Sequence, residues 1–439
     1  MSGRVPVPAG RLPGSGLVVP PALLHHRRSA LTWVTVVVLG FGALVIAGIF
    51  VAYAGAGPFV LVTFLAALAF PLILLVIFWI DRYEPEPTRY RLAALGWGGV
   101  VAVILSFVVE SAAALVAGNQ SFASGAIVAP VVEETGKGLF LVAVVLLRRQ
   151  QIHGLLDGVV YGALVGVGFA FVEDILYYIS ALREGGAAGL TATVVLRGVM
   201  SPFAHPLFTS ATGLGFGIGL TSRSTAKRIV APVLGFLTAV TLHGIWNGSA
   251  FYGTRNFLTA YAVVMLPLLV VIVSVTVWAR SREGRMLVAA LQQTVQMGWT
   301  RPEEVRWVAR LSDRVSARRY ARLRGGPQAA RAVRAFQQTM IEIAFLHNRF
   351  VDGSAPRDVN ARMLALLDRA AALRPYVILP PELGQPMPGG PMLGGPMLGG
   401  PMLGGGPPAP ASVPPWVPPG LPEWYGPGVG TRPSGAGWS

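Results

Sequence analysis

Apolar residues run in long blocks along the first two thirds of this chain, and polar residues gather in the short stretches between them. A bilayer-spanning helix needs about 20 apolar residues. Eight blocks meet that length: roughly residues 31–54, 58–80, 92–116, 126–147, 155–180, 194–220, 229–251 and 258–279. After residue 280 the period changes. Thr300 with Glu303 makes a capping box with Pro302 in the first turn, and Val333, Phe336, Met340 and Ile343 recur at helical spacing. The chain reads as all-α: a polytopic membrane bundle of about eight transmembrane helices, with a helical extension behind it.

The flanks differ in kind. Residues 1–30 bear Pro, Gly and Arg and read as a disordered cytoplasmic N-terminal tail before a full-length span, not as a removed leader. Residues 31–280 form the transmembrane core, and residues 281–375 a cytoplasmic helical region. From 376 to 439 the chain is a Pro/Gly/Met-rich tail in which Gly-Gly-Pro-Met-Leu recurs from Gly389 to Leu403. Such composition cannot bury a core and reads as disordered. Its segment from Pro414 to Pro419 is a candidate site for a protein partner.

Charge settles orientation. Arginines and lysines crowd alternate loops, among them Arg82, Arg89, Arg91, Lys227, Arg228, Arg280 and Arg282, while the opposite loops carry Arg183 and Arg255. The excess on one side predicts both termini in the cytoplasm. The net charge of +15 is therefore a topology signal, and nucleic acid is not an expected partner. With no cysteine, disulfides and thiolate metal sites are excluded.

Polar residues inside the blocks are costly, about 2.5–3.5 kcal/mol each on insertion scales. Glu133, Glu134 and Lys137 sit in the fourth block, Glu110 in the third, Glu173 and Asp174 in the fifth, His205 in the sixth, and His243 and Asn247 in the seventh. At 1.5 Å per residue, most lie roughly 10–16 Å below the same face. Five helices thus place polar groups in one layer, which points to a single site. Lys137 is i+4 from Glu133 and i+3 from Glu134, so it can pair with either. Phe169, Glu173 and Tyr177 share one helical face, as do His243 and Asn247. Five carboxylates in this layer face two cations, Lys137 and Arg197. A low-dielectric site does not tolerate that imbalance without protonated carboxylates, charged histidines or a bound cation.

The residue set narrows the chemistry. No His-Glu-x-x-His motif, no Gly-x-Ser-x-Gly elbow and no aspartate pair in separate spans occurs. Glutamate and histidine without a Ser or Cys nucleophile suit water activation, with a carboxylate as general base and imidazole polarising a carbonyl. A metal bound by His205, His243 and a glutamate such as Glu173 is equally open, and no organic cofactor is expected. The competing reading is an ion-coupled transporter using the buried carboxylates and Lys137 as a relay, although no internal symmetry between halves is visible. A scaffold whose polar layer only binds helices together is the third.

Three motifs together resemble those of PrsW-type intramembrane proteases, relatives of the CAAX-prenyl and glutamic intramembrane protease group. They are Glu133-Glu134-x-x-Lys137, Phe169-x-x-x-Glu173-x-x-x-Tyr177 and His243-x-x-x-Asn247. The segment from Asp81 to Pro87 and the run from His205 to Thr209 also resemble family segments, and the likeness extends to Phe251. The wider relatives carry Glu-Glu-x-x-x-Arg and Phe-x-x-x-His, from which this chain departs at Lys137 and Glu173. The resemblance implies a bacterial plasma-membrane endopeptidase that cuts membrane-anchored proteins such as anti-sigma factors. It assigns Glu133 and Glu134 to water activation, and His205 and His243 to the oxyanion or to a divalent metal such as Zn. Glu173 and Asn247 would orient them, with Lys137 and Tyr177 in support.

Overall fold

The structure is a computed structural model that describes residues 19–24, 30–83, 85–117, 122–148, 154–222, 224–356 and 358–381. Of the disordered tails expected over residues 1–30 and 376–439, residues 1–18, 25–29 and 382–439 lie outside the described residues, as does the candidate partner segment at 414–419. Every regular element among the described residues is helical. Two compact units result, one of residues 30–285 and one of residues 19–24 with 286–381.

The first unit begins with α1 (Ala30–Ala54) and α2 (Ala56–Ile80), joined at Gly55, whose φ of 86° is open to glycine without penalty. Next come α3 (Thr88–Gly96) and α4 (Val103–Ala117), fused through a π-helical stretch at Trp97–Ala102. A second π stretch, Ser124–Val128, leads into α5 (Ala129–Arg148). The long α6 (Leu155–Thr193) breaks at Gly186, where φ is 60°. A further π stretch, Val194–Met200, precedes α7 (Ala204–Thr221), which is followed by α8 (Thr225–Phe251). The unit closes with α9 (Thr254–Ala260) and the first part of α10 (Leu266–Gln296).

Glycines set how closely the central helices pack. A Cβ on Gly158, Gly162 or Gly166 of α6 would come within 2.1, 2.5 and 2.5 Å of the carbonyl oxygens of Gly213, Thr209 and His205 on α7. On the far side of α6, a Cβ on Gly168 would lie 2.0 Å from the Leu95 oxygen. Small residues at four-residue spacing let helix backbones touch, the usual device where lipid supplies no hydrophobic drive between helices. The first half of α6 is thereby enclosed, with Val160, Tyr161, Leu164 and Val165 at the centre of a core shared with Phe140 and Leu141 of α5. The close α6–α7 approach brings the Glu173 end of α6 beside the start of α7.

Among the described residues, six helical stretches are long and apolar enough to cross a membrane by length and composition: Thr32–Ala54, Ala56–Ile80, Thr88–Leu115, Leu155–Thr221, Thr225–Phe251 and Thr254–Gln296. The sequence reading counted eight, and the difference has two sources. The fifth and sixth expected spans form one 67-residue stretch, because helical backbone continues past Ser180 to the break at Gly186 and on through the π segment. The fourth expected span is α5, whose Glu133, Glu134 and Lys137 disqualify it by composition.

In the second unit, α11 (Pro302–Ala309) is capped by Glu304 accepting from the Arg301 N–H at 3.0 Å, one residue later than the Thr300–Glu303 box expected. It packs with α12 (Leu311–Val351), broken at Gly326, and with α13 (Val359–Leu373). Part of the expected N-terminal tail also belongs here. Val19 is buried with Ala332 and Tyr376, and its N–H donates to Gln328 at 2.9 Å.

Candidate active site

Four helices of the first unit and one π segment carry the polar cluster. α5 supplies Glu133, Glu134 and Lys137; α6 supplies Phe169, Glu173 and Asp174; α7 supplies His205, Phe208 and Thr209; α8 supplies His243. Arg197 comes from Val194–Met200, and π segments recur at functional sites because they re-aim side chains that a regular helix would point elsewhere. A Trp97 Nε1–H donates to the Gly136 carbonyl at 2.9 Å, tying the first π segment to the turn that bears Lys137.

Lys137 is the hub. Its fully buried Nζ lies 3.1 Å from Glu133 Oε2, 2.9 Å from Glu134 Oε1 and 3.0 Å from His205 Nδ1, and 3.7 Å from the Phe169 ring centroid. An ammonium has three N–H donors and no lone pair. Three acceptors meet three donors, so His205 Nδ1 accepts and its proton sits on Nε2. That Nε2 faces Glu173 Oε2 at 2.6 Å, the geometry of a charge-assisted hydrogen bond. Arg197 completes the chain, donating from Nη2 to the same Glu173 oxygen and from Nε to Asp174 Oδ1 at 2.6 Å, with its guanidinium 4.1 Å from the Tyr177 ring centroid.

Glu134 has both oxygens engaged. Oε1 accepts from Lys137 and from His243 Nδ1, 3.2 Å away, and Oε2 accepts from the Thr209 hydroxyl at 3.0 Å. Because Nδ1 of His243 donates to this carboxylate, its Nε2 carries a lone pair. That atom is buried, finds no hydrogen-bond partner, and lies 3.8 Å from Glu133 Oε2. Phe208 stacks on the His243 ring at 5.0 Å and 18°, fixing its plane.

Of the residues expected from sequence, the structure brings Glu133, Glu134, Lys137, Glu173, His205 and His243 into one bonded network. Tyr177 stands at its edge beneath Arg197 and is 45% exposed. Asn247 points elsewhere: its Nδ2 donates to the Gly125 carbonyl at 3.2 Å, joining α8 to the second π segment. Sharing eases the charge imbalance without cancelling it: Lys137 pairs with two carboxylates and Arg197 with the other two, which leaves two negative charges in excess if all four ionise. Glu110 is left over, with a buried Oε1 that has no partner. Thr209 and Phe208 entered the sequence reading only as part of the run from His205 to Thr209 that resembles a family segment, with no role assigned. Arg197 entered the sequence reading only as a countercharge, eight residues before His205 across a break that hides their proximity.

Glu133, His205 and His243 each offer a ligand atom within 4.8 Å of the others, so a Glu/His/His set exists, with Glu133 where the sequence reading placed Glu173. A metal needs a lone pair from each histidine. His205 has none to give, since Lys137 donates to Nδ1 and Nε2–H is held by Glu173. A cation would also meet the ammonium 3.1 Å from Glu133 Oε2. In this arrangement the set does not fit a three-ligand metal centre.

Residues 86–272 match the model of a family described as PrsW family intramembrane metalloprotease. A protein named Protease PrsW from Geobacillus kaustophilus (strain HTA426) is 28% identical over 171 residues, which cover 38% of this chain and 69% of that protein. The Protease PrsW of Clostridioides difficile (strain 630) is 28% identical over 188 residues, covering 40% of this chain and 74% of that protein. No solved structure matches this chain. The resemblance to PrsW-type proteases is therefore borne out, and the whole polar network lies inside the matched segment. These matches support a membrane-embedded protein that is an intramembrane peptidase, and they do not favour a transporter. Nothing in them supports a protein partner for the C-terminal tail.

Proposed function

We propose that this chain is an endopeptidase of membrane-anchored proteins that hydrolyses the peptide bond with a water held between Glu133 and His243. The observation that carries the reading is the unpartnered His243 Nε2, buried 3.8 Å from Glu133 Oε2. A buried acceptor without a partner is costly, and a water or substrate N–H is the natural occupant. Glu133 Oε2 takes one proton from the water while the remaining O–H donates a hydrogen bond to His243 Nε2, orienting the oxygen lone pair toward the scissile carbonyl. The hydroxyl adds to the carbonyl carbon. Collapse of the tetrahedral intermediate breaks the C–N bond, and the Glu133 carboxylic acid returns its proton to the leaving amine.

The other members position these two. Glu134 holds the His243 tautomer, as a carboxylate does for a catalytic imidazole. Lys137 holds both glutamates and His205, and Glu173 with Arg197 holds His205. This division differs from the roles implied by resemblance, in which His205 met the oxyanion or a metal. Both ring nitrogens of His205 are occupied, and no step requires a metal.

Orientation follows the positive-inside reading, with both termini cytoplasmic in a bacterial plasma membrane. Val19 packing in one unit with residues 286–381 supports an even number of crossings between them. Anti-sigma factors are the substrate class that the resemblance implies. The test is cleavage of single-pass membrane proteins in cells expressing wild type, Glu133→Gln, Glu134→Gln or His243→Ala at matched levels. A fragment seen only with wild type, and insensitive to chelator in detergent extracts, is expected. A fragment that persists in Glu133→Gln sinks the water-activation assignment, and one abolished by chelator and restored by zinc sinks the metal-free reading.

A further inference from the structure

The second unit carries a charge pattern that the peptidase reading leaves unused. Residues 310–334 hold eight arginines and one acid, Asp313, which pairs with Arg306 at 3.1 Å. Helical periodicity separates the two sides of the first half of α12. Arg314, Ala317 and Ala321 are buried, the alanines against Trp307 and Val333. On the opposite side Val315, Arg319, Arg322 and Leu323 are exposed, Val315 by 50% and Leu323 by 77%. Arg331 and Arg334, beyond the break at Gly326, are exposed as well.

We propose that this face docks on the anionic phospholipid headgroups of the membrane in which the chain is anchored. Charge complementarity selects an anionic partner, and arginine pairs with phosphodiester oxygens through two parallel N–H donors. The exposed aliphatics narrow the choice further. A nucleic-acid backbone makes no use of Val315 and Leu323, whereas an interfacial helix buries such residues at the boundary between headgroups and acyl chains, with basic residues flanking them. The chain's last apolar run ends near Ala279, about thirty residues before this helix, so the membrane surface is present at high effective concentration. Weak individual contacts suffice under that tether. This inference rests on membrane anchorage alone and is independent of the peptidase mechanism.

The absence of cysteine allows a direct test. Ser316 is exposed one turn from Arg319 and Tyr320, and a Ser316→Cys chain labelled with an environment-sensitive fluorophore reports on this face. Ala365→Cys on α13 serves as the control site. The full chain is placed in nanodiscs of phosphatidylcholine, with or without phosphatidylglycerol. The expected result is a blue shift at position 316 in the anionic discs, reversed by salt, with no change at position 365. Arg319→Gln with Arg322→Gln moves the docking equilibrium toward release on the order of 25-fold, since each arginine near an anionic surface contributes roughly fivefold. Equal emission in both lipids overturns the proposal. So does a shift that survives the double substitution, or a shift in neutral discs produced by short duplex DNA, which would make the face a nucleic-acid surface.

Discussion

The ammonium of Lys137 donates to Nδ1 of His205, 3.0 Å away across two helices, while also holding Glu133 and Glu134. Lys137→Met leaves two buried carboxylates facing each other without a countercharge. Breaking a buried pair in this way costs about 3–5 kcal/mol, and Glu133 no longer keeps its orientation. We expect loss of cleavage by at least about 100-fold together with a lower melting temperature in detergent. Lys137→Arg keeps the charge but not the compact three-donor geometry. It should restore part of the stability and little of the activity. Full activity in Lys137→Arg would show that charge alone, not the bond to His205, is what the site requires.

Arg197 and His205 share one oxygen of Glu173. Arg197 is therefore a positioning residue: it fixes Glu173, and Glu173 fixes the proton on His205 Nε2. Arg197→Lys retains a cation but cannot bridge Glu173 and Asp174 at once. The expected outcome is a clear fall in kcat with KM for a reconstituted substrate nearly unchanged. A rise in KM at constant kcat would place Arg197 in substrate binding instead.

How much of this was legible beforehand varies with the physical signal. Glu133, Glu134 and Lys137 were visible because charge within an apolar run is rare, and i+3 and i+4 spacing fixes their mutual reach. His205, His243 and Glu173 were visible as polar groups at one depth. The shared oxygen of Glu173 was not, because Arg197 reaches it from a π segment whose wider turn departs from the α-helical period that the sequence reading assumes. Asn247 shows the opposite failure. Its spacing from His243 places it on the same face, but a backbone carbonyl at Gly125 competes for its amide. Helical class followed from the apolar blocks. The eight expected spans differ from the six stretches that qualify by length and composition, since helical backbone continues past Ser180 to the break at Gly186 and the charges of α5 disguise that helix.

The α6–α7 contact makes a sharp prediction. Gly162 and Gly166 approach the Thr209 and His205 carbonyls so closely that a methyl group has no room. Gly166→Ala must push α7 away near His205, and the Glu173–His205 bond lengthens with it. Overpacking of this kind costs about 1–3 kcal/mol. Cleavage should fall more steeply than stability, because the displaced group belongs to the network. Gly185→Ala is the control, since nothing lies within 4 Å of its added Cβ. Equal behaviour of the two variants would refute the packing argument.

The loop from Asp81 to Pro87 supplies the pH prediction. Asp81 is buried, accepts the Glu86 N–H at 3.1 Å and pairs with Arg91 at 3.2 Å. Burial pushes its carboxyl up to about 7, an effect that the Glu86 N–H and Arg91 only partly offset. Glu86, which accepts the Tyr161 hydroxyl at 2.5 Å, is also pushed well above the usual carboxylate range by burial. An unfolded aspartate titrates near 3.9, so between about pH 4 and 7 the folded chain binds the extra proton. The stabilising contribution is complete below about pH 4 and is lost as the pH rises through about 7, by up to about 4 kcal/mol. Asp81→Asn mimics the protonated side chain and still offers an oxygen to the Glu86 N–H. Wild type and Asp81→Asn should therefore melt together only near pH 4 or below in detergent, and the variant's advantage should grow as the pH rises to about 8. If the variant melts lower at both values, the Arg91 ion pair outweighs the burial of Asp81, and the loop is held by charge and not by proton uptake.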